Sequence, residues 1–344
     1  MTVIKGIGQR WKRIILVVSG TLLGIVFFYL AFRGITWSQF VTGMEQMQPI
    51  YLIPSAVLIV LIQLVRALRF GVIVSPFCEP GTKAMWDLLN IWSAANMVMP
   101  ARLAEFVRPY LLQRTGVAFS SSFGAVMVER FFDLFGLLLL LGVVLWKAPE
   151  VPPMYSYLGL GLLVTLSAGY VFVLVVLART ETVLSVVGRI LSVLPERLAH
   201  PLEGIIRRLI EGFGIMASLK QVMVIFAYSL LLWILFAGMT YLFLVAFSIK
   251  ASFLVAVTIQ VFVCFGIALP SAPGFVGTFH AAGRYALALF GVPAVAAVSF
   301  ATAYHLFNLL GCLALGGLSY LTSDFRFGKA VLVGQVKSTE PNPA

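Results

Sequence analysis

A chain of 344 residues that is 61% hydrophobic and 11% charged, with a mean hydropathy of +1.02, is far too apolar for a soluble globular protein. Its net charge of +11 does not call for nucleic acid, because Lys and Arg gather in the segments between long apolar stretches. What remains is an all-α polytopic membrane protein.

In chain order, residues 1–13 carry Lys5, Arg10, Lys12 and Arg13 ahead of an apolar run at 14–32. That run has no small-x-small cleavage site, so it is expected to stay as a first span rather than leave as a signal peptide. A second span is expected at 50–68, long enough at 1.5 Å per residue to cross about 30 Å of hydrocarbon. Residues 84–99 form a shorter apolar stretch that runs into Met99-Pro100, followed at once by a short helical segment at 103–114. This predicts a broken, re-entrant hairpin, or two short spans.

The stretch at 118–146 places Glu129, Arg130 and Asp133 in the middle of a membrane helix. Each such charge costs roughly 2.5–3.5 kcal/mol at the bilayer centre, about 8–10 kcal/mol for the three. The sixteen Leu, Phe and Val residues of the stretch return only about 5–10 kcal/mol on the same kind of scale. The helix therefore needs protein partners or a hydrated cavity for its charges. Arg130 and Asp133, three apart, can pair on the helix surface.

Further spans are expected at 155–178, 221–247 and 294–321. Between them, 181–219 alternates apolar residues at helical spacing with Arg189, Arg197, Arg207 and Arg208, which predicts amphipathic helices at the interface, broken at Pro195 and Pro201. Residues 251–269 run into Leu269-Pro270, and Pro-Ser-Ala-Pro-Gly-Phe-Val-Gly follows before a helix at 279–290. Two prolines and two glycines cannot continue a membrane helix, and backbone freed at that depth is tolerated only inside protein or beside a water-filled cavity. Residues 326–344 are expected to form a cytoplasmic tail, whose polar, Pro-containing end at 337–344 is expected to be disordered.

In this count of about six spans and two broken hairpins (eight segments if each hairpin is counted once), nineteen Lys and Arg fall on the side of the termini. Three, Arg33, Lys147 and Lys250, fall on the other side, and Arg130 and Arg284 lie within the membrane region. The positive-inside rule then puts both termini in the cytoplasm.

The two halves, 14–150 and 151–325, resemble each other at an offset of 175 residues: Phe132-Asp133-Leu134-Phe135-Gly136 matches Phe307-Asn308-Leu309-Leu310-Gly311, and Arg130 falls on His305. Each half reads as span, span, broken hairpin, span. Three crossings per half invert the second copy, so an inverted repeat is expected, with interrupted helices at matching places as in transporter sites.

The candidate site residues follow from these breaks. Arg102, Glu105 and Arg108 recur every three residues and would share one helical face, either a phosphate-binding pair of cations oriented by Glu105 or a solvated interfacial face. At the second break Ser271, Gly274 and Gly277 would present backbone N–H donors to an anion, unless the segment is a simple connecting loop. Glu129, Arg130, Asp133, His280, Arg284 and His305 form the candidate intramembrane charge relay. Cys78, Cys264 and Cys312 and the scattered His200, His280 and His305 have no metal or redox spacing, so no metal and no cofactor are expected.

Taken in order, the Pro-x-Arg-x-x-Glu-x-x-Arg run at 100–108, the Glu129-Arg130-Phe-Phe-Asp133 run and the Pro-Ser-x-Pro-Gly-x-x-Gly run at 270–277 resemble the lysylphosphatidylglycerol synthase transmembrane family. This is the flippase-like membrane domain of the multiple peptide resistance factor, which also occurs as stand-alone proteins, and the resemblance covers about residues 10–325. The chain departs at Ala104, where members usually have Gly, and at His280, where they often have an acidic residue that proton coupling could use. The resemblance implies a lipid translocase for an anionic or modified headgroup in the inner membrane of a prokaryote. The cytoplasmic aminoacyl-transferase domain of full-length members has no counterpart in the roughly 20 residues after the last span, so aminoacylation by this chain, and enzymatic activity generally, is not expected.

Two other classes stay open on the residues: a non-catalytic membrane partner of an envelope-lipid or glycolipid enzyme, and an intramembrane transferase using Glu129 and Asp133. The expected partners are membrane lipids with anionic headgroups, with such an enzyme or a second copy of the chain as alternatives and no nucleic acid.

Overall fold

The computed structural model describes residues 19–79, 81–99, 103–147, 152, 154–193, 195–268 and 272–323. The N-terminal segment 1–13, the tail 326–344, Pro100, Arg102, Pro270 and Ser271 lie outside the described residues. Among the described residues every regular element is helical, so the protein is all-α.

Helix α1 (Ser19–Phe32) turns by 78° into α2 (Trp37–Glu45). The new helix starts where it does because Thr36 and Gln39 form a capping box: the Gln39 N–H donates to the Thr36 hydroxyl, and the Gln39 side chain accepts from the Thr36 N–H at 2.9 Å. Helix α3 (Leu52–Val74) follows a 3-10 turn at Pro49–Tyr51. It runs six residues past the end expected at Leu68 and carries Arg66 and Arg69 with it. Those two arginines and Arg108 were assigned to the inner loops by sequence; the structure places them among packed helices. Sixteen cations against three still mark the same side, so the charge asymmetry survives.

Helix α4 (Thr82–Val98) ends at the first break, and a 3-10 turn (Leu103–Phe106) leads into α5 (Val107–Gln113). Helices α6 (Phe119–Lys147) and α7 (Met154–Ala178) follow. Helix α7 buries no residue against the rest of the chain and is apolar all round, the pattern of a helix bathed in lipid. Helices α8 (Thr180–Leu191) and α9 (Glu196–Phe213) form the linker. The chain breaks at Pro195 but not at Pro201, which lies inside α9. As the sixth residue of that helix, Pro201 forgoes the hydrogen bond its position would make to the Arg197 carbonyl, yet the helix continues past it.

Helix α10 (Leu219–Ala246), α11 (Phe253–Ala268), α12 (Thr278–Ala288) and α13 (Ala294–Thr322) complete the fold, with a short 3-10 turn (Pro273–Phe275) in the second break. Among the described residues four stretches, Pro49–Val74, α7, α10 and α13, are long and apolar enough to cross a membrane, and α1 with α2 makes a fifth if the bent pair is one span. Helix α6, at 29 residues, has the length but carries its three central charges. A seven-residue α5 and an eleven-residue α12 rise only about 10 and 16 Å, too little to cross. Length thus favours broken hairpins over paired full spans.

The repeat is visible in the packing. Helix α4 lies on α13 and α11 on α6, so each hairpin's longer arm packs on the last helix of the other half. Helix α3 packs on its counterpart α10. The Gln48 N–H donates to the Ala246 carbonyl at one end, and Arg69 reaches Ser229 at the other, so the counterparts run antiparallel, as an inverted repeat requires. A related contact recurs in the two halves. Gly43 of α2 fits against Ser299 near the start of α13, and Gly212 of α9 fits against Gly124, the position 175 residues before Ser299, near the start of α6.

Candidate functional site

The carboxylates of α6 do not face lipid. Glu129 and Asp133, four residues and about one turn apart, both point at α3, where Arg69 donates to Glu129 Oε1 and to Asp133 Oδ1, each at 2.7 Å, and to the Ser229 hydroxyl at 2.9 Å. The second oxygen of Glu129 takes Arg108 of α5. Arg108 also pairs with Glu105 Oε2 at 3.0 Å, and its guanidinium lies 4.3 Å from the Trp92 ring and 4.9 Å from Phe70. Arg130 completes the group, 3.1 Å from Asp133 Oδ2, 3.6 Å from Glu105 Oε1 and 3.8 Å from Glu129 Oε2. The cluster is therefore three arginines and three carboxylates with no net charge, which is what allows so many ions inside one packed region.

The six ions are unequally buried. Arg69, Arg108 and Glu129 are sealed off, whereas the side chains of Arg130 and Asp133 remain 31% and 26% exposed and Glu105 lies between. Beside them Arg66 also lies against this indole, 5.5 Å from Trp92 and 5.1 Å from Phe236, and donates to Gln63 at 3.0 Å. Among the described residues Arg66 has no carboxylate in salt-bridge reach. Gln63 in turn donates to Asn90 and Ser93 of α4, both at 2.9 Å, so a polar seam joins α3 to α4 beneath the cations.

The expected residues separate into three places. Glu105, Arg108, Glu129, Arg130 and Asp133 come together. Arg108 differs from the expectation of a phosphate ligand: both its carboxylate partners and two aromatic faces enclose it completely. Glu105 sits in a 3-10 turn rather than on one α-helical face with its neighbours, and Arg102 and Ser271 lie outside the described residues.

His280 and His305 form a second group with their rings 5.1 Å apart. His305 Nε2 lies 2.6 Å from the Gly274 carbonyl, which can only accept, so Nε2 carries the proton; His280 Nδ1 accepts from the Gly277 N–H at 3.4 Å. The second break is thus tied to α12 and α13 by the two imidazoles. Gly274 and Gly277 have φ of +68° and +91°, and Phe275 between them has +61°. A bulky residue in this region stores strain of the kind found at functional segments. Arg284 belongs to neither group: it donates to the Leu30, Ala31 and Arg33 carbonyls at the end of α1.

The offset of 175 relates the first two groups. Glu105 and Arg130 of the ion pair fall on His280 and His305, Glu129 falls on Tyr304, and Asp133 on Asn308. Tyr304 is buried 3.1 Å from Thr240, which also lies 3.3 Å from Gln260. One half carries ions where the other carries neutral hydrogen-bonding groups.

Arg69, Arg66, Trp92 and the Gln63–Asn90–Ser93 seam were not foreseen. The available signal was hydropathy: the apolar run of α3 resumes after Arg69 as far as Val74, which places both arginines inside a span rather than on its flank.

The family described as the lysylphosphatidylglycerol synthase TM region matches residues 15–316. The chain is 29% identical over 268 residues to a UPF0104 membrane protein of Methanothermobacter thermautotrophicus, a match covering 74% of this chain and 78% of that protein. It is 30% identical over 141 residues to the glycosyltransferase AglD of Haloferax volcanii, covering 40% of this chain but 22% of that protein. No solved structure matches.

Proposed function

Because this chain belongs to the lysylphosphatidylglycerol synthase transmembrane family, we propose that it is a lipid translocase whose Arg130 takes the phosphate of an anionic or modified phospholipid headgroup. The observation that supports this reading is the uneven burial of the charge cluster. The sealed core of Arg69, Arg108 and Glu129 is a scaffold, and Arg130 is the cation on its open face.

The exchange is chemically simple. A phosphate on Arg130 displaces Asp133 and Glu105, yet neither carboxylate is orphaned, since Asp133 keeps Arg69 at 2.7 Å and Glu105 keeps Arg108 at 3.0 Å. The added negative charge is offset by Arg66, a neighbouring cation beside the same Trp92 ring. Arginine suits this task because its planar fork binds phosphate oxygens in pairs. Arg108 and Glu129 are positioning residues in this scheme. The chain acts as a carrier, not an enzyme, in a prokaryotic cytoplasmic membrane with its termini inside. Energy comes from a gradient or from the lipid's own concentration difference.

The test is headgroup accessibility in vesicles reconstituted with the purified chain and a phosphatidylglycerol labelled on its headgroup. The wild type is expected to bring the inner-leaflet label to an external quencher. Arg130→Gln is expected to slow this at least tenfold while helix content stays the same, and Arg130→Lys to recover part of the rate. An Arg130→Gln rate equal to wild type would refute the proposal.

The likeness to part of a protein named as a glycosyltransferase favours one alternative, a non-catalytic partner of a glycolipid enzyme. A stoichiometric enzyme copurifying with a chain that shows no translocation of its own would select it.

A further inference from the structure

Away from the charge cluster, α1, α7, α11 and α12 enclose an open groove of about 760 Å³. Its walls are apolar, with Phe27, Leu30, Leu158, Phe262 and Phe265 among them, and Arg284 lies at its edge. The volume falls in the range of sites that hold one ligand molecule. Helix α7, apolar all round and with no buried residue among those described, forms one wall of the groove, which suits it to hydrocarbon rather than to water.

Its position along the membrane normal can be read from the surrounding side chains. Trp37, Trp146 and Tyr157 are each more than three-quarters exposed, and they stand at the start of α2 just past the turn after α1, at the end of α6 and near the start of α7. Lys147 lies 3.8 Å over the Trp146 ring. Exposed aromatics with adjacent cations mark a membrane–water interface. It is the interface away from the Lys- and Arg-rich loops.

Arg284 uses one terminal nitrogen for all three of its bonds to the end of α1, at 3.1, 2.6 and 3.1 Å. Its other terminal nitrogen and Nε have no partner among the described residues, and no carboxylate there comes within salt-bridge reach. Arg33, exposed at the same helix end, is likewise without an acidic partner there. An unneutralised, half-buried guanidinium at interface depth beside an apolar slot is complementary to one kind of molecule: an anion joined to hydrocarbon.

We propose that this groove is a seat for one anionic phospholipid, with an acyl chain along α7 and α11 and the phosphodiester on Arg284. The site is separate from Arg130 and holds whether or not the chain translocates lipid.

The experiment offers the full-length chain, stripped of lipid in detergent, an equimolar mixture of phosphatidylglycerol and phosphatidylcholine, and reads retained lipid by native mass spectrometry. The wild type is expected to hold one phosphatidylglycerol at least fivefold over phosphatidylcholine. Arg284→Gln is expected to remove that preference and Arg284→Lys to keep part of it. Leu158→Trp, which fills the slot but leaves Arg284 in place, is expected to cut total retention severalfold. The Arg284 comparison is repeated in an Arg130→Gln background, which removes lipid held at the translocation site, so that a preference lost there with Arg284→Gln belongs to this seat. Equal retention of the two lipids in that background with Arg284 in place, or a preference that survives Arg284→Gln there, would overturn the proposal. Should Arg284→Gln fail to fold because α1 loses its cap, Leu158→Trp with unchanged retention would overturn it alone.

Discussion

Replacing Glu129 by Gln is expected to lower stability by about 3–5 kcal/mol, the range seen when one partner is removed from a buried ion pair. The size follows from what the residue holds. Its two oxygens bind two different arginines, Arg69 and Arg108, both sealed from solvent. A Gln oxygen can still accept a hydrogen bond, but its amide nitrogen would turn a donor toward one of the guanidiniums. Two buried cations would then share Asp133 and Glu105, each of which also serves Arg130. Thermal unfolding in detergent would read the change as a large fall in Tm. The double variant Glu129→Gln with Arg108→Met restores charge balance and fills the space against Phe70 and Trp92, and is expected to recover part of the loss through a coupling of about 0.5–3 kcal/mol. A Glu129→Gln protein as stable as wild type would mean that the cluster is solvated and holds nothing together.

Gly277→Ala is expected to cost about 3 kcal/mol or more, from two causes that act together. At φ +91° an L side chain is strained, by an amount on the order of 1–2 kcal/mol. A Cβ there would also run into the Gly24 carbonyl and approach the Phe28 nitrogen, and backbone cannot step aside as a flexible side chain can. The companion change, Gly24→Ala, meets Ala272 and the Val276 carbonyl at 2.7 and 3.0 Å without the dihedral penalty, so a smaller effect is expected. Disulfide trapping between cysteines placed on α1 and on the second break would follow the separation directly: wild-type spacing should crosslink and the Gly277→Ala background should not. A Gly277→Ala protein with unchanged Tm and crosslinking would show that α1 does not sit against the break.

Much of this architecture was legible beforehand, and for definite reasons. Helix bounds at 118–146, 155–178 and 294–321 needed only apolar length, and the observed α6, α7 and α13 match them within about a residue. The two helix breaks were legible because Pro and Gly leave backbone groups that a bilayer cannot satisfy. The repeat was legible because five consecutive positions at 132–136 and 307–311 kept their pattern. The end of α3 was misplaced because an arginine near the edge of an apolar run looks the same whether it reaches the interface or turns inward. Arg284 was grouped with the relay on its helical spacing from His280, yet its bonds go to the end of α1.

By itself, then, the sequence determined that the chain is a helical membrane protein and that Glu129, Arg130 and Asp133 had to find company inside it. Both conclusions rest on local quantities, residue periodicity and the cost of a charge in hydrocarbon. Only the tertiary structure decided what that company is. Arg69 lies sixty residues from Glu129 and Arg108 twenty-one, and nothing in their spacing announces the pairing. It exists because α3 and α5 pack on the same face of α6, bringing three cations to three carboxylates and leaving Arg130 on the open side.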